Sequence, residues 1–164
     1  MKRLLLIVLP LLLIVGCSSP EPINYETTLV DREGVFYTKD TNQPYSGPVF
    51  SIDKNGRNKR ESILEDGKMI TYKYFKYYEN GQKKNEISFK DGKPDGLLTH
   101  WYENGQKKGE GSLKDGKPDG LSTNWFENGQ KKEEGTYKDG ELISKKEWNE
   151  DGSVKEWLNE KPHH

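Results

Sequence analysis

Few residues of this chain are of a type and spacing that could do chemistry. Its three histidines are His100, within a stretch of β-type alternation, and the terminal pair His163 and His164. Two adjacent histidines without further donors fall short of a metal site, which needs three or four converging ligands. His100 is replaced by Asn124 one period later, which marks it as a polar strand position and not a general base. The carboxylates recur as copies, whereas acid–base catalysis needs two carboxyl groups in unlike environments. The Asn-Gly and Asp-Gly doublets follow strand-like segments but open no helix, so they do not form a phosphate-cradling loop. The expectation is a non-enzyme with no catalytic residue, no metal and no cofactor.

Rings and lysines are the better candidates, as a binding surface. Trp101 and Trp125 continue a column begun by Phe75, and Tyr78, Tyr102 and Phe126 form a second column beside it. Three lysine doublets, Lys83-Lys84, Lys107-Lys108 and Lys131-Lys132, recur at the same interval. The doublets, with Lys83, Lys107 and Lys131 as the candidate residues, would stack across the sheet and could draw lipid phosphate or an acidic partner, or Glu86, Glu110 and Glu134 could cancel them as a solvated face. Tyr78, Tyr102 and Phe126 could cover the sheet edge between units or, if exposed, hold a glycan or an extended segment.

These columns exist because the chain repeats. WYENGQKKGEGSLKDGKPDG, from Trp101, is followed at once by LSTNWFENGQKKEEGTYKDG. Asn80-Gly81, Asn104-Gly105 and Asn128-Gly129 stand 24 apart, as do Asp91-Gly92, Asp115-Gly116 and Asp139-Gly140. A period of this size signals a stacked array. About five units are expected, starting near Gly47, Tyr72, Gly96, Gly120 and Ser144. Asn-Gly and Asp-Gly tolerate the positive φ of tight turns, so each unit is expected to be a hairpin. Pro94 and Pro118 are placed in the connecting turns, where a missing N–H breaks no ladder. A two-residue turn at Asn104-Gly105 would put Trp101 on the face of Lys108 and Glu110. A three-residue turn, Glu103-Asn104-Gly105, pairs Trp101 with Lys107, and the preferred reading then sets Leu97, Trp101 and Leu113 on the face of the bare Gly109 and Gly111. Phe75, Trp101 and Trp125 would stack as a ladder, with the glycines leaving room for the rings.

The pattern G-x-x-x-x-[WF]-[YF]-E-N-G-Q-K-K-x-E, closing on K-D-G, resembles the variant MORN repeat, the form found in proteins labelled YwqK-family antitoxins. It covers roughly residues 45 to 158 by its period and fits best from Gly96 and Gly120. The resemblance implies an all-β fold, an elongated single-layer antiparallel sheet of successive hairpins. It also implies scaffolding, or binding of a protein or lipid, and a toxin is the partner that the antitoxin label implies.

The remaining signal is at the start. Leu4 to Val15 is aliphatic except for Pro10, follows Lys2 and Arg3, and is shorter than the ~20 residues a spanning helix needs. Ile14-Val15-Gly16-Cys17 resembles the lipobox of bacterial lipoproteins, which implies cleavage before Cys17 and lipid on its sulfur. Cys17 is the single cysteine, so no intramolecular disulfide forms. Ser18 and Ser19, with no Asp beside the cysteine, imply export onward to the outer membrane. The chain therefore divides into a signal peptide, 1–16, a lipidated Cys17 with an extended tether, 17–30, and the repeat domain, 31–160. Lys and Arg number 26 against 27 Asp and Glu, which argues against nucleic acid as a partner. Alanine is absent and aliphatic residues are scarce after Cys17, but four Trp, nine Tyr and five Phe argue for a fold over disorder. The expected partners are the membrane, through the lipid on Cys17, and a protein, a toxin among the candidates, or an envelope lipid or glycan.

Overall fold

A computed structural model describes residues 20–155; Cys17 and the signal segment lie outside the described residues. The chain forms β1 (Ile23–Asn24), a one-turn helix α1 (Tyr25–Thr28), β2 (Leu29–Arg32) and β3 (Val35–Thr38). The long strands follow: β4 (Gly47–Ile52), β5 (Asn58–Glu65), β6 (Lys68–Tyr77), β7 (Lys83–Lys90) and β8 (Lys93–Trp101). The last are β9 (Lys107–Lys114), β10 (Lys117–Trp125), β11 (Lys131–Lys138) and β12 (Glu141–Glu147). Strands β4 to β12 pair with their sequence neighbours in one antiparallel meander, and β1 adds a short parallel pairing to the outer edge of β4. The fold is the extended sheet of hairpins that the repeat implies. No helix among the described residues is long and apolar enough to cross a membrane.

The two ends of the sheet use different turns. At one end, Asp66-Gly67, Asp91-Gly92, Asp115-Gly116 and Asp139-Gly140 have positive φ at both residues, which makes two-residue hairpin turns whose twist matches the strands. At the other end only the glycine is left-handed. Gly105 N donates to the Tyr102 carbonyl at 3.0 Å and Tyr102 N to the Gln106 carbonyl at 2.8 Å, which closes the expected three-residue turn Glu103-Asn104-Gly105. The same bonds recur at Tyr78–Gln82, Phe126–Gln130 and Asn149–Ser153.

The register departs from expectation one step inside that turn. Trp101 does pair with Lys107, but the ladder slips by one residue between His100 and Trp101, so that His100 pairs with Gly109, Leu98 with Gly111 and Gly96 with Leu113. Gly109, Gly111 and Leu113 therefore share a face with Leu98 and His100. Leu97, Thr99 and Trp101 lie on the opposite face, with Glu110 and Ser112. This corrects the expected grouping of Leu97, Trp101 and Leu113: the bulge joins the pairing of one turn type at the tip to the register of the other in the strand body, and one residue of slip exchanges faces.

Proline placement also differs. Pro94 lies within β8, paired with Phe89, and Pro118 within β10, paired with Leu113, because the Asp-Gly turns are only two residues long and the strands start sooner. Their carbonyls accept from the glycine of the next turn, Pro94 from Gly116 at 2.7 Å and Pro118 from Gly140 at 2.8 Å.

The N-terminal segment packs where an extended tether was expected. Over residues 23–30 the chain instead forms β1, α1 and the start of β2. Asn24 caps α1 by accepting from Glu26 N at 3.0 Å. Leu29 is buried against Val49 and Leu64, with Ile23, Tyr25, Phe36, Tyr45 and Met69 around them, which doubles the sheet at this end. The hairpin of β2 and β3 is tied on by Phe36 N, which donates to the Gly67 carbonyl at 2.8 Å. Only glycine fits at 67, because a Cβ there would meet Val35 Cγ1 at 2.6 Å and the Phe36 carbonyl oxygen at 2.8 Å.

Candidate functional site

The first aromatic column is not ring on ring. Among the described residues the ring–ring contacts are Tyr25–Phe36 and Tyr72–Phe89, and Phe75, Trp101 and Trp125 are not among them. Lysine is interleaved instead. Lys83 Nζ lies 4.9 Å from the Phe75 ring centre and 5.7 Å from that of Trp101, Lys107 lies 5.9 Å from Trp125, and Lys131 lies 5.6 Å from Trp148. An ammonium over a ring face is attracted by the ring quadrupole, and its methylenes cover apolar surface. Each of these lysines also meets a carboxylate: Lys83 with Glu86 at 2.9 Å, Lys107 with Glu110 and Lys131 with Glu134, the latter two at 2.5 Å. Residues three apart on a regular strand face opposite ways, and the bulge is what lets them meet.

The second column ties hairpins together. Tyr78 donates its hydroxyl to the Trp101 carbonyl oxygen and Tyr102 to that of Trp125, both at 2.8 Å. Burial, then Glu127 and Glu150, raise the Tyr102 phenol pKa, so its proton stays on as a donor. Phe126 holds the same place with no hydroxyl. Lys84, Lys108 and Lys132 lie over Tyr78, Tyr102 and Phe126 at 5.2, 5.5 and 5.6 Å. None of the three has an ion pair among the described residues, in contrast to the first lysine of each doublet. Both rows belong to the lysine series expected as a binding surface, in which Lys83, Lys107 and Lys131 stood as the candidate residues, and it is the second lysine of each doublet that keeps its charge. The only sequence signal for them is their own 24-residue spacing, which the first row shares.

The glycines face polar groups. A Cβ at Gly109 would sit 2.6 Å from Asn124 Oδ1, and one at Gly111 would sit 3.2 Å from Ser122 Oγ, so their bareness admits the next hairpin's side chains where rings were expected. Leu98, His100, Gly109, Gly111, Ser122 and Asn124 line a groove of about 280 Å³ on this face. His100 Nδ1 lies 2.9 Å from Asn85 Oδ1, its cross-strand partner. Burial, with Lys108 adding to it, lowers the His100 pKa, and the ring sits in the strand as a polar side chain. No group of three or more metal-ligating side chains occurs among the described residues.

Residues 65–91, 94–115 and 118–139 match the family described as MORN repeat variant. Three units therefore carry the MORN pattern, and each matched stretch runs from one Asp-Gly turn to the next, one hairpin at a time. No curated protein and no solved structure matches the chain. The same turn geometry extends past the matched stretches. Asp53 N and the Arg57 carbonyl close a turn of the same form ahead of them, as do Asn149 N and the Ser153 carbonyl behind. MORN repeats point to a binding or scaffolding module, in a family that is generally non-catalytic.

Proposed function

We propose that this protein is a non-catalytic lipoprotein, anchored through lipid on Cys17 at the outer membrane of a bacterial envelope, whose MORN array is a binding or scaffolding surface. The observation that carries the binding half is the recurrence of one rung, an aromatic ring at the hairpin tip under a lysine that has no ion pair among the described residues, at three successive hairpins of an open sheet. A repeated rung offers a ligand many equal contacts and suits an extended partner better than a small one. The anchor rests on the charged start, apolar middle and Ile14-Val15-Gly16-Cys17 ending of the leader. Several acyl chains hold a protein far more firmly than one, each buried methylene adding ~0.8 kcal/mol. Cells expressing the full chain and fed an alkyne fatty acid should label it, and Cys17→Ser should lose both label and membrane association. A labelled Cys17→Ser protein would refute the anchor.

The antitoxin reading rests on the likeness of the ENGQKK units to the YwqK-labelled proteins. An exported protein reaches only a toxin acting in the envelope. Co-expression with such a toxin should restore growth with the leader intact, and failure to protect would reject this role.

A further inference from the structure

We infer that the row Lys84, Lys108 and Lys132 is a binding site for a β-1,4-linked glycan that carries one carboxylate per disaccharide, laid across the strands of the sheet. This rests on the proposed role as an envelope binding module and names the ligand class of that surface.

Charge is the first support. The two lysines of each doublet differ in their neighbours: the first row is neutralised by Glu86, Glu110 and Glu134, and the second row keeps its charge. Three uncompensated ammonium groups in line favour an anion with charges in line. They are also held in place over Tyr78, Tyr102 and Phe126, which lowers the cost of fixing long side chains.

Spacing is the second. One hairpin advances two strands, roughly 9.6 Å from the spacing of hydrogen-bonded strands, which is close to the repeat of an extended β-1,4-linked disaccharide. In such a chain successive sugars are flipped, so like groups return to one side at every second ring, in step with the lysines. An acidic peptide in β conformation returns its side chains to one side roughly every 6.7 Å and falls out of step.

The floor is the third. Gly109 and Gly111 raise no side chain beside Lys108, and His100, Ser122 and Asn124 offer polar atoms to sugar hydroxyls along the groove. The Asn124 amide and the Ser122 hydroxyl, packed over these glycines, turn a polar surface toward a sugar ring.

The test is calorimetric titration of the purified full chain in detergent with a hexasaccharide of three N-acetylglucosamine–N-acetylmuramic acid units stripped of peptide. Chitohexaose supplies the same backbone without carboxylates, polyglutamate the charge without sugar, and phosphatidylglycerol vesicles a lipid surface. The muramic hexasaccharide should bind, weaken with added salt, and lose at least about tenfold in affinity, or 1.4 kcal/mol, when Lys84, Lys108 and Lys132 are all changed to Gln. The matched triple change of Lys83, Lys107 and Lys131 to Gln should leave binding within about threefold. Thermal melts check that both variants fold. Absence of binding, equal binding of chitohexaose, polyglutamate or the vesicles, or an unchanged affinity in the second-row variant would overturn the site. Cys17→Ser protein should bind equally well, so a failed anchor and a failed glycan site give separate results.

Discussion

The Tyr102 hydroxyl donates to the Trp125 carbonyl oxygen at 2.8 Å, and so spans from the tip of one hairpin to the backbone of the next. Tyr78 repeats the bond to Trp101. Tyr102→Phe removes the hydroxyl and leaves the ring, the arrangement that Phe126 already shows. The expected cost is about 0.5–1.5 kcal/mol in urea unfolding, the usual net worth of one hydrogen bond. An unchanged denaturation midpoint would mean that the hydroxyl contributes nothing between hairpins.

Asn104 serves two turns at once. Its Oδ1 accepts from Gln106 N at 2.9 Å within its own turn, and its Nδ2 donates to the Glu127 carbonyl at 3.3 Å in the next. Asn80 and Asn128 do the same toward Glu103 and Glu150. The last turn carries Asp151, which accepts from Ser153 N but has no amide to donate, and no further turn of this form follows it among the described residues. Asn104→Asp should therefore keep the turn and lose the tie, and Asn104→Ala should lose both. Thermal midpoints should fall in the order wild type, Asp, Ala; an Asp variant as stable as wild type would remove the tie from the account.

Two glycines with one backbone conformation test close packing apart from strain. Gly67 and Gly92 both have φ of 77°, but a Cβ at 92 meets nothing within 4 Å, whereas one at 67 strikes Val35 and Phe36. Gly92→Ala should cost only the left-handed strain, of order 1 kcal/mol. Gly67→Ala should cost more and speed hydrogen exchange at the Phe36 amide as the β2–β3 hairpin lifts. Equal midpoints for the two variants would count against the tight seat at 67.

His100 sets a pH dependence. Its folded pKa is lowered by burial, with Lys108 adding to it, so the unfolded chain binds the proton first as pH falls. The stability it confers is fully present above the ordinary histidine range near 6.5 and is lost as pH drops through the lowered folded value. Asp53, Asp119 and Glu147 are lowered through Arg57, Lys138 and Lys145 respectively, and their share is lost at more acid pH. His100→Asn, the residue found at 124, should flatten the first decline and spare the second. The same slope below pH 6.5 in the variant would show that another group titrates there.

The groove between hairpins was harder to foresee than the hairpins. Asn124 and Ser122 reach over Gly109 and Gly111 from a neighbouring strand, and nothing in a strand's own alternation says whose side chain a bare glycine admits. Residues 23–30 mislead in another way. They follow Pro20 and Pro22 and lie before the first repeat, so they look like a tether, and the burial of Leu29 depends on Val49 and Leu64 far along the chain.

From the amino-acid order alone came the period, the repeating hairpins from Gly47 onward and the tip pairing of Trp101 with Lys107, because Asn-Gly and Asp-Gly turns are local and their φ requirements are written in two residues. Tertiary structure decided which face Trp101 shares, which lysine of each doublet meets a glutamate, and what packs over Leu29. Those outcomes turn on a one-residue bulge and on contacts between distant strands, where a slip of one residue changes the face of every side chain that follows.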